Sequence, residues 1–328
     1  MLKRITRALL QLGPVLGLLV VYVLFCILCS RQDTPFHSSL NAKTIITQTV
    51  IVGIGALGMA IIIISGGIDL SVGSLVALTT VVIALVLRRF GGEAPGIWVP
   101  CAAALAGIGA AALCGLVSGF ITSKLRIVPF IVTLGMMQIA RGLAKWLADE
   151  RTVIAPENWL NDLMLVDPDP AWLVLAPGVW LMLALLAATH VVLKYTVFGR
   201  YVYAIGSNPA TARLCGINVE FYRILVFTMA AAYTGVAGVM QYANLTIGDP
   251  TAAGGMELDI IAAVVIGGGS LSGGEGSAIG TLVGALIMAV LRNGCNWLGV
   301  PNYVQNIIIG TVIIGAVGID SLKHRLRT

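Results

Sequence analysis

A glycine-broken apolar segment from Ile61 to Ser74, IIIISGGIDLSVGS, contains the first residues whose types could do chemistry. Glycines stop a helix and expose backbone polar groups, which at membrane depth are tolerated only where protein or a water-filled cavity satisfies them. Interrupted spans of this kind often mark transport sites. Asp69 is either a substrate or gating residue or the N-cap of the next helix, together with Ser71, and we favour the cap. The break and its polar groups comprise Ser65, Gly66, Gly67, Asp69 and Ser71.

A second glycine-rich break runs from Ala262 to Ser277, AAVVIGGGSLSGGEGS, between two short apolar runs. Its likeness to the first break hints at an internal repeat. A phosphate-binding loop is the alternative, but no Lys follows in the GK[ST] position, so a Walker nucleotide site is not expected. We predict that both breaks border a translocation pathway, with the hydroxyl of Ser65 or Ser270 beside the solute. The residues concerned in the second break are Gly267, Gly268, Gly269 and Ser270.

The loop from Phe198 to Val219, FGRYVYAIGSNPATARLCGINV, carries helix signals of its own. An Asn suits the N-cap, a Pro suits the first helical position and a Gly suits the position past the end, which predicts a two-turn helix at 209–215 on the membrane surface. A helix this short is not stable alone. It either docks on a partner, with a small alanine near its centre and an arginine facing an acidic rim, or is an ordinary interfacial helix. The residues are Asn208, Pro209, Ala210, Thr211, Ala212, Arg213 and Gly216.

Redox or metal chemistry is suggested only by Cys26 and Cys29, which have CxxC spacing. No second CxxC lies near them, and both fall in an apolar run. Free cysteine behaves there as a small hydrophobic residue. We therefore expect no catalytic, cofactor-binding or metal-binding residue in this chain.

The composition indicates what must position these segments. Hydrophobic residues make up 58% of the 328 residues, charged residues only 11%, and the mean hydropathy is +0.96. A soluble domain has about 25% charged residues and could not hide this much apolar surface, so a soluble enzyme, a nucleic-acid-binding protein and a disordered chain are excluded. The apolar runs are long and unbroken, which excludes a barrel of short alternating strands.

The sequence therefore predicts an all-α polytopic membrane protein with one transmembrane domain over residues 1–328. A span takes about 20 residues, and no linker or soluble domain interrupts the runs; the hydrophilic stretch from Asp149 to Pro170 is too short to fold alone. About ten transmembrane helices are expected, at 8–29, 44–64, 71–87, 98–120, 127–147, 172–193, 222–243, 256–268, 278–292 and 303–322.

Loop charge predicts that both termini are cytoplasmic, because basic residues favour the inner side of a membrane. The net charge of +5 is interpreted as this bias. The loop after the fifth run is acidic and would be outside, while Arg88 and Arg89 fall outside and disagree. The basic residues assigned to the inside are Lys3, Arg4, Arg7, Lys124, Arg126, Lys194, Arg200, Arg213, Arg223, Lys323, Arg325 and Arg327.

Three segments together resemble one protein family. SGGIDLSVGS, AIGSNPATARLCGI and ELDIIAAVVIGGGSLSGGEGS, in this order and at these separations, are similar to the permease subunits of bacterial ABC importers for monosaccharides of the ribose, xylose and galactose group. These belong to a larger family that includes branched-chain amino-acid permeases. The likeness covers about residues 44–322.

The resemblance implies the ten-helix fold of the vitamin B12 importer, a type II ABC importer, in the inner membrane. It implies a second permease copy, a cytoplasmic ATPase subunit with tandem nucleotide domains that holds ATP and Mg²⁺, and a periplasmic sugar-binding protein. The helix at 209–215 would be the coupling helix that docks into the ATPase. Membrane lipid is a partner and nucleic acid is not.

Two other functions are carried as alternatives. One is a permease for branched-chain amino acids or another small solute. The other is an ion-coupled secondary transporter, which usually needs charged relays near the midplane. Arg141 and His190 are the main ionisable residues expected within the runs, and both lie toward the ends of their helices, so ion coupling is not favoured.

Overall fold

The computed structural model describes residues 2–30, 35–92 and 96–325, and side chains from residue 13 to residue 315 with the same gaps, and at 318. The basic residues at 3, 4, 7, 323, 325 and 327, used above to orient the chain, have side chains outside this described part. The described helices are α1 Leu2–Leu28, α2 Ser39–Ile64, α3 Val72–Phe90, α4 Trp98–Lys124, α5 Pro129–Leu147, α6 Pro177–Tyr195, α7 Val197–Ser207, α8 Pro209–Leu214, α9 Val219–Leu245, α10 Met256–Ile266, α11 Ala278–Trp297 and α12 Asn302–Arg325.

Each of the ten apolar runs falls on a helix, which confirms the mostly helical, polytopic class. Within the described residues, six helices are long and apolar enough to cross a membrane, namely α2, α3, α4, α6, α9 and α11. The helix α10 has only 11 residues, about 16 Å at 1.5 Å per residue, which is well short of a hydrocarbon core of about 30 Å. The prediction of ten complete spans therefore stays a prediction.

The helix α2 forms the centre of the fold. Its second half, from Val50 to Ile64, is almost wholly buried and is packed by α6, α9, α10 and α11. The four isoleucines Ile61–Ile64 are 0% exposed, so the end of this helix is apolar on every side. That full burial is why the run ahead of the first glycine break lacks helical amphipathicity.

Glycines let pairs of helices come unusually close. A Cβ atom at Gly115 or Gly119 of α4 would meet the backbone of α9 at Phe227 or Ile224, and one at Gly284 of α11 would meet the Ala263 carbonyl of α10. The GxxxG pairs Gly115/Gly119 and Gly280/Gly284 therefore pack helices within one chain, as such pairs do in membranes.

The acidic stretch after α5 folds back onto the helices. Its strand β1, Val153–Ile154, pairs antiparallel with β2, Ile247–Gly248, which follows α9. An ion pair of 2.7 Å joins Asp167 of the stretch to Lys43 near the start of α2. The stretch therefore covers the end of the bundle at which α2 begins.

Candidate functional site

The first glycine break begins where α2 ends. The Ser65 hydroxyl donates to the Ile62 carbonyl over 2.7 Å, and Gly66 turns the chain with φ +83°. A positive φ is accessible to glycine without steric cost. Residues 65–71 then run as irregular backbone to the start of α3, held partly by the Thr133 hydroxyl of α5, which donates to the Ile68 carbonyl over 3.3 Å.

Asp69 serves the local backbone. Its Oδ1 accepts from the Ser71 amide at 2.7 Å and from the Ser71 hydroxyl at 2.6 Å, and the residue is 1% exposed. This is an Asx turn that closes the chain before α3. The favoured capping interpretation is correct for the position of Ser71 at the N-cap, but it is wrong for a side-chain cap, because α3 has no side-chain cap bond. A role of Asp69 toward a substrate stays a prediction.

The irregular segments 65–71 and 246–255 both reach the interior of the bundle. A Cβ atom at Gly55, in the second half of α2, would lie 2.7 Å from Ile260 of α10 and 3.8 Å from Val72, the first residue of α3. A Cβ atom at Gly73 would meet the Ala253 carbonyl and would lie 2.5 Å from the Glu257 carboxylate. The N-terminal ends of α3 and α10 therefore meet beside α2, and we call this contact the mid-depth junction.

The second glycine break is compact and partly buried. Gly268, Gly273 and Gly274 have φ values of +93°, +83° and +76°, and Ser270 is 1% exposed. Ser65, at 4%, is also buried. The structure thus places both predicted serines in the interior of the subunit, and their position beside a solute stays a prediction.

Both breaks meet the end of α7 at one point, which we call the glycine junction. The Gly274 amide donates to the Ile64 carbonyl over 2.9 Å. A Cβ atom at Gly273 would lie 2.9 Å from Gly66 Cα and 2.7 Å from the Gly206 carbonyl. One at Gly206 would overlap the Ile64 carbonyl and lie 2.6 Å from the Gly274 amide nitrogen. Backbones from three distant segments are therefore in direct contact here.

A tyrosine of α7 adds a second tie to the same place. The Tyr203 hydroxyl donates to the Gly276 carbonyl over 2.7 Å. Partial burial raises the pKa of this phenol, which keeps the donating proton in place. The surface helix α7 is thus fixed to the break that precedes α11.

The helix predicted at 209–215 is present as α8. Asn208 Oδ1 accepts from the amides of Ala210 and Thr211, both at 3.0 Å, and Gly216 has φ +84°. The predicted cap, start and stop are therefore confirmed to within one residue. Its assignment as a coupling helix stays a prediction.

The expected role of Ala212 is wrong. This residue is 4% exposed and packs on Ile205 and Val219 of the same chain, so it faces inward and the chain itself supports much of the short helix. The outward face carries Leu214, which is 89% exposed, beside the exposed Arg213. Capping residues predict where a helix starts and ends. They do not predict which face of the helix packs on its own chain, so they did not indicate that Leu214 is exposed.

The segment 246–255 was not predicted from the sequence. It leaves α9 through Thr246, at φ +59°, and its Ala253 carbonyl lies at the mid-depth junction. Arg141 of α5 donates to its Pro250 and Ala252 carbonyls over 3.0 and 2.8 Å. An arginine in an apolar helix was the signal that could have found it, since such residues often pair with backbone carbonyls.

A further pair of ionisable groups was missed. Arg292 of α11 donates through Nε to Asp259 of α10 over 3.0 Å, and Asp259 is 5% exposed. Gln48 and Asn296 line a small cleft beside them. Within the described residues, no group of three His, Cys, Asp or Glu side chains could hold a metal ion.

Comparison with known proteins places the chain in a family. The profile of the permease component of branched-chain amino acid transport systems matches residues 41–317. The ribose import permease protein RbsC of Escherichia coli (strain K12) is 41% identical over 308 residues, 94% of each chain. The fructose import permease protein FrcC of Rhizobium meliloti is 33% identical over 94% of this chain and 84% of its own.

A third relative is the L-arabinose transport system permease protein AraH of Escherichia coli (strain K12), 33% identical over 95% of this chain and 92% of its own. No solved structure matches the chain significantly. The match over most of the length assigns a permease component. The chain belongs to the family of branched-chain amino acid transport system permease components, as a multi-pass membrane protein.

Proposed function

We propose that this chain is the membrane-spanning permease subunit of an ATP-driven monosaccharide importer. The observation that carries the proposal is the set of relatives named for ribose, fructose and arabinose import, each aligned over more than nine-tenths of this chain. Two copies would enclose the pathway, a periplasmic binding protein would deliver the sugar, and a cytoplasmic ATPase with tandem nucleotide domains would hold ATP and Mg²⁺.

In this proposal the chain has ten spans, the vitamin B12 importer-like arrangement and both termini in the cytoplasm of a bacterial inner membrane. The segment 246–255 and α10 together make one of the spans. The sugar passes the mid-depth junction, where irregular backbone offers N–H and C=O groups to hydroxyls. The glycines at 66, 67 and 267–269 shape the pathway through the backbone.

Coupling to the ATPase would run through α8 and the glycine junction. The exposed face of α8 docks into a groove of the ATPase, with Leu214 as its apolar anchor and Arg213 at the rim. The helices α7 and α8 would move together as one unit, because Ala212 of α8 packs on Ile205 of α7. A movement of α7 and α8 would then displace both glycine breaks, because Gly206 of α7 contacts the Ile64 carbonyl and the Gly274 amide.

The family also includes permeases for branched-chain amino acids. The class of solute that is transported, sugar or amino acid, separates that alternative from this proposal. Liposomes that contain the permease, its ATPase and its binding protein should accumulate radiolabelled ribose, fructose or arabinose only with internal ATP. Accumulation of leucine and of no sugar would contradict the proposal. Uptake by the permease alone, driven by an ion gradient, would establish the secondary-transporter alternative.

The coupling assignment is tested with Leu214→Glu. A charge buried without a partner in the docking groove costs several kcal/mol, so the variant should insert normally, lose co-purification with the ATPase and abolish sugar-stimulated ATP hydrolysis. Leu125→Glu is the matched control, since Leu125 is 66% exposed at the neighbouring end of α4. If both variants assemble and hydrolyse ATP alike, α8 is a connector only.

A further inference from the structure

A basic cavity opens where α6, α7 and the start of α11 come together. Its lining includes His190 and Lys194 of α6, Arg200 of α7, Tyr203 and the α11 start at Ala278. Lys194 and Arg200 are exposed, and His190 is half-buried. The cavity therefore brings two cationic side chains and an imidazole beside the first turn of a helix.

Neither cation takes part in an ion pair within the described part of the chain. The ion pairs found among the described residues join Lys43 with Asp167, Lys124 with Glu220 and Arg292 with Asp259. Lys194 and Arg200 take part in none of them. Lys194 Nζ instead lies 5.2 Å from the ring centroid of the exposed Tyr195. The cavity thus carries two cations that form no ion pair with the described residues, which suits an anion.

The cavity lies at the ends of two helices that are long and apolar enough to cross a membrane. Lys194 lies in the last turn of the membrane helix α6, Arg200 in the first turns of the surface helix α7, and Ala278 begins the membrane helix α11. An exposed tyrosine next to a lysine at a helix end is typical of the membrane–water interface. The cavity wall is completed by apolar atoms of Leu193 and Ala278, against which an acyl chain or glycerol backbone can rest.

We propose that this cavity binds the phosphodiester headgroup of an anionic phospholipid. The Arg200 guanidinium supplies planar donors that match phosphate oxygens, and the Lys194 ammonium adds a point charge. Basic pockets between transmembrane helices are a chemistry that recognises such headgroups. The lipid would brace α7 against α6 and α11 on the membrane face that carries α8. This site is independent of the sugar and of the ATPase.

The test compares lipids with the purified permease. Native mass spectrometry and thermal unfolding in detergent are measured with added dioleoyl-phosphatidylglycerol, with dioleoyl-phosphatidylcholine and with inorganic phosphate. We expect phosphatidylglycerol to bind and to raise the unfolding midpoint, and neither phosphatidylcholine nor phosphate to do so. The double variant Lys194→Gln/Arg200→Gln should bind phosphatidylglycerol about 25-fold more weakly, because each cation near an anionic lipid contributes roughly fivefold.

Arg126→Gln is the matched control, since Arg126 is exposed after α4 and does not line the cavity. It should bind phosphatidylglycerol as the wild type does. Should the double variant fail to fold, the single variants replace it, each expected to lose about fivefold. Arg200→Lys, which keeps the charge and loses the planar donors, should bind more tightly than Arg200→Gln and more weakly than the wild type. Equal phosphatidylglycerol binding by wild type and charge-removed variants overturns the proposal. Equal stabilisation by inorganic phosphate overturns the lipid assignment in favour of a free-anion site.

Discussion

Replacing Gly206 by alanine is the sharpest perturbation of the glycine junction. Gly206 lies near the end of α7, so alanine suits its helical backbone. The added methyl group, however, would overlap the Ile64 carbonyl and lie 2.6 Å from the Gly274 amide nitrogen. Those are the two atoms that share the 2.9 Å hydrogen bond between the two breaks. The substitution therefore wedges α7 away from both breaks without touching α8.

The magnitude follows from three contributions. Overpacking of a tight contact costs about 1–3 kcal/mol. Loss of the hydrogen bond between the Gly274 amide and the Ile64 carbonyl costs about 1 kcal/mol. Alanine in place of glycine within a helix returns about 0.5–1 kcal/mol. The free energy of unfolding should therefore fall by about 1–3 kcal/mol, enough to displace α7 while the bundle stays folded.

The assay joins stability with coupling. Gly206→Ala should lower the unfolding midpoint, keep co-purification with the ATPase because the outer face of α8 is unchanged, and reduce ATP-driven sugar uptake severely. Gly142→Ala is the matched control, since it changes a helical glycine of α5 that has open space around it, and it should leave uptake and stability unchanged or slightly raised. Wild-type stability and uptake in Gly206→Ala would refute the contact between the breaks and α7.

Two further outcomes are expected. Arg141→Gln should lower the free energy of unfolding by about 2 kcal/mol, because charged hydrogen bonds to two carbonyls are lost, and hydrogen exchange should quicken at 247–255; unchanged exchange there would contradict an anchoring role. The orientation in the membrane can be tested with two variants that each have a single cysteine, either the exposed native Cys215 or Asp162→Cys. In intact cells an impermeant thiol reagent should label only the Asp162→Cys variant. Equal labelling of the two variants would contradict the proposed topology.

Composition and local pattern were enough for the class of protein and for the local structure of the motifs. Apolar runs of span length have one favourable solution in a membrane, the helix, because its backbone hydrogen bonds are internal. Capping chemistry acts over three or four residues, so Asn208, Pro209 and Gly216 delimit α8 without help from the rest of the fold. The combined motifs SGGIDLSVGS, AIGSNPATARLCGI and ELDIIAAVVIGGGSLSGGEGS were enough for the family.

The packing of the helices decides which surfaces these elements expose and which elements are in contact. Ala212 and Leu214 are two residues apart on one helix, and burial of the first and exposure of the second depend on where Ile205 and Val219 lie. The partnership of Asp259 with Arg292 joins residues 33 positions apart, which no local pattern specifies. Periodicity could not detect it because α10 is apolar nearly all round.

The glycine junction shows the same division most clearly. The glycines alone predict that helices stop at Gly66 and near Gly268, since glycine at these positions relieves the steric cost of a left-handed turn. They do not predict that Gly206 meets both breaks. That contact depends on the close approach of three backbones in the assembled bundle. Glycine has no side chain, so the residues around each glycine do not indicate which segment it will contact.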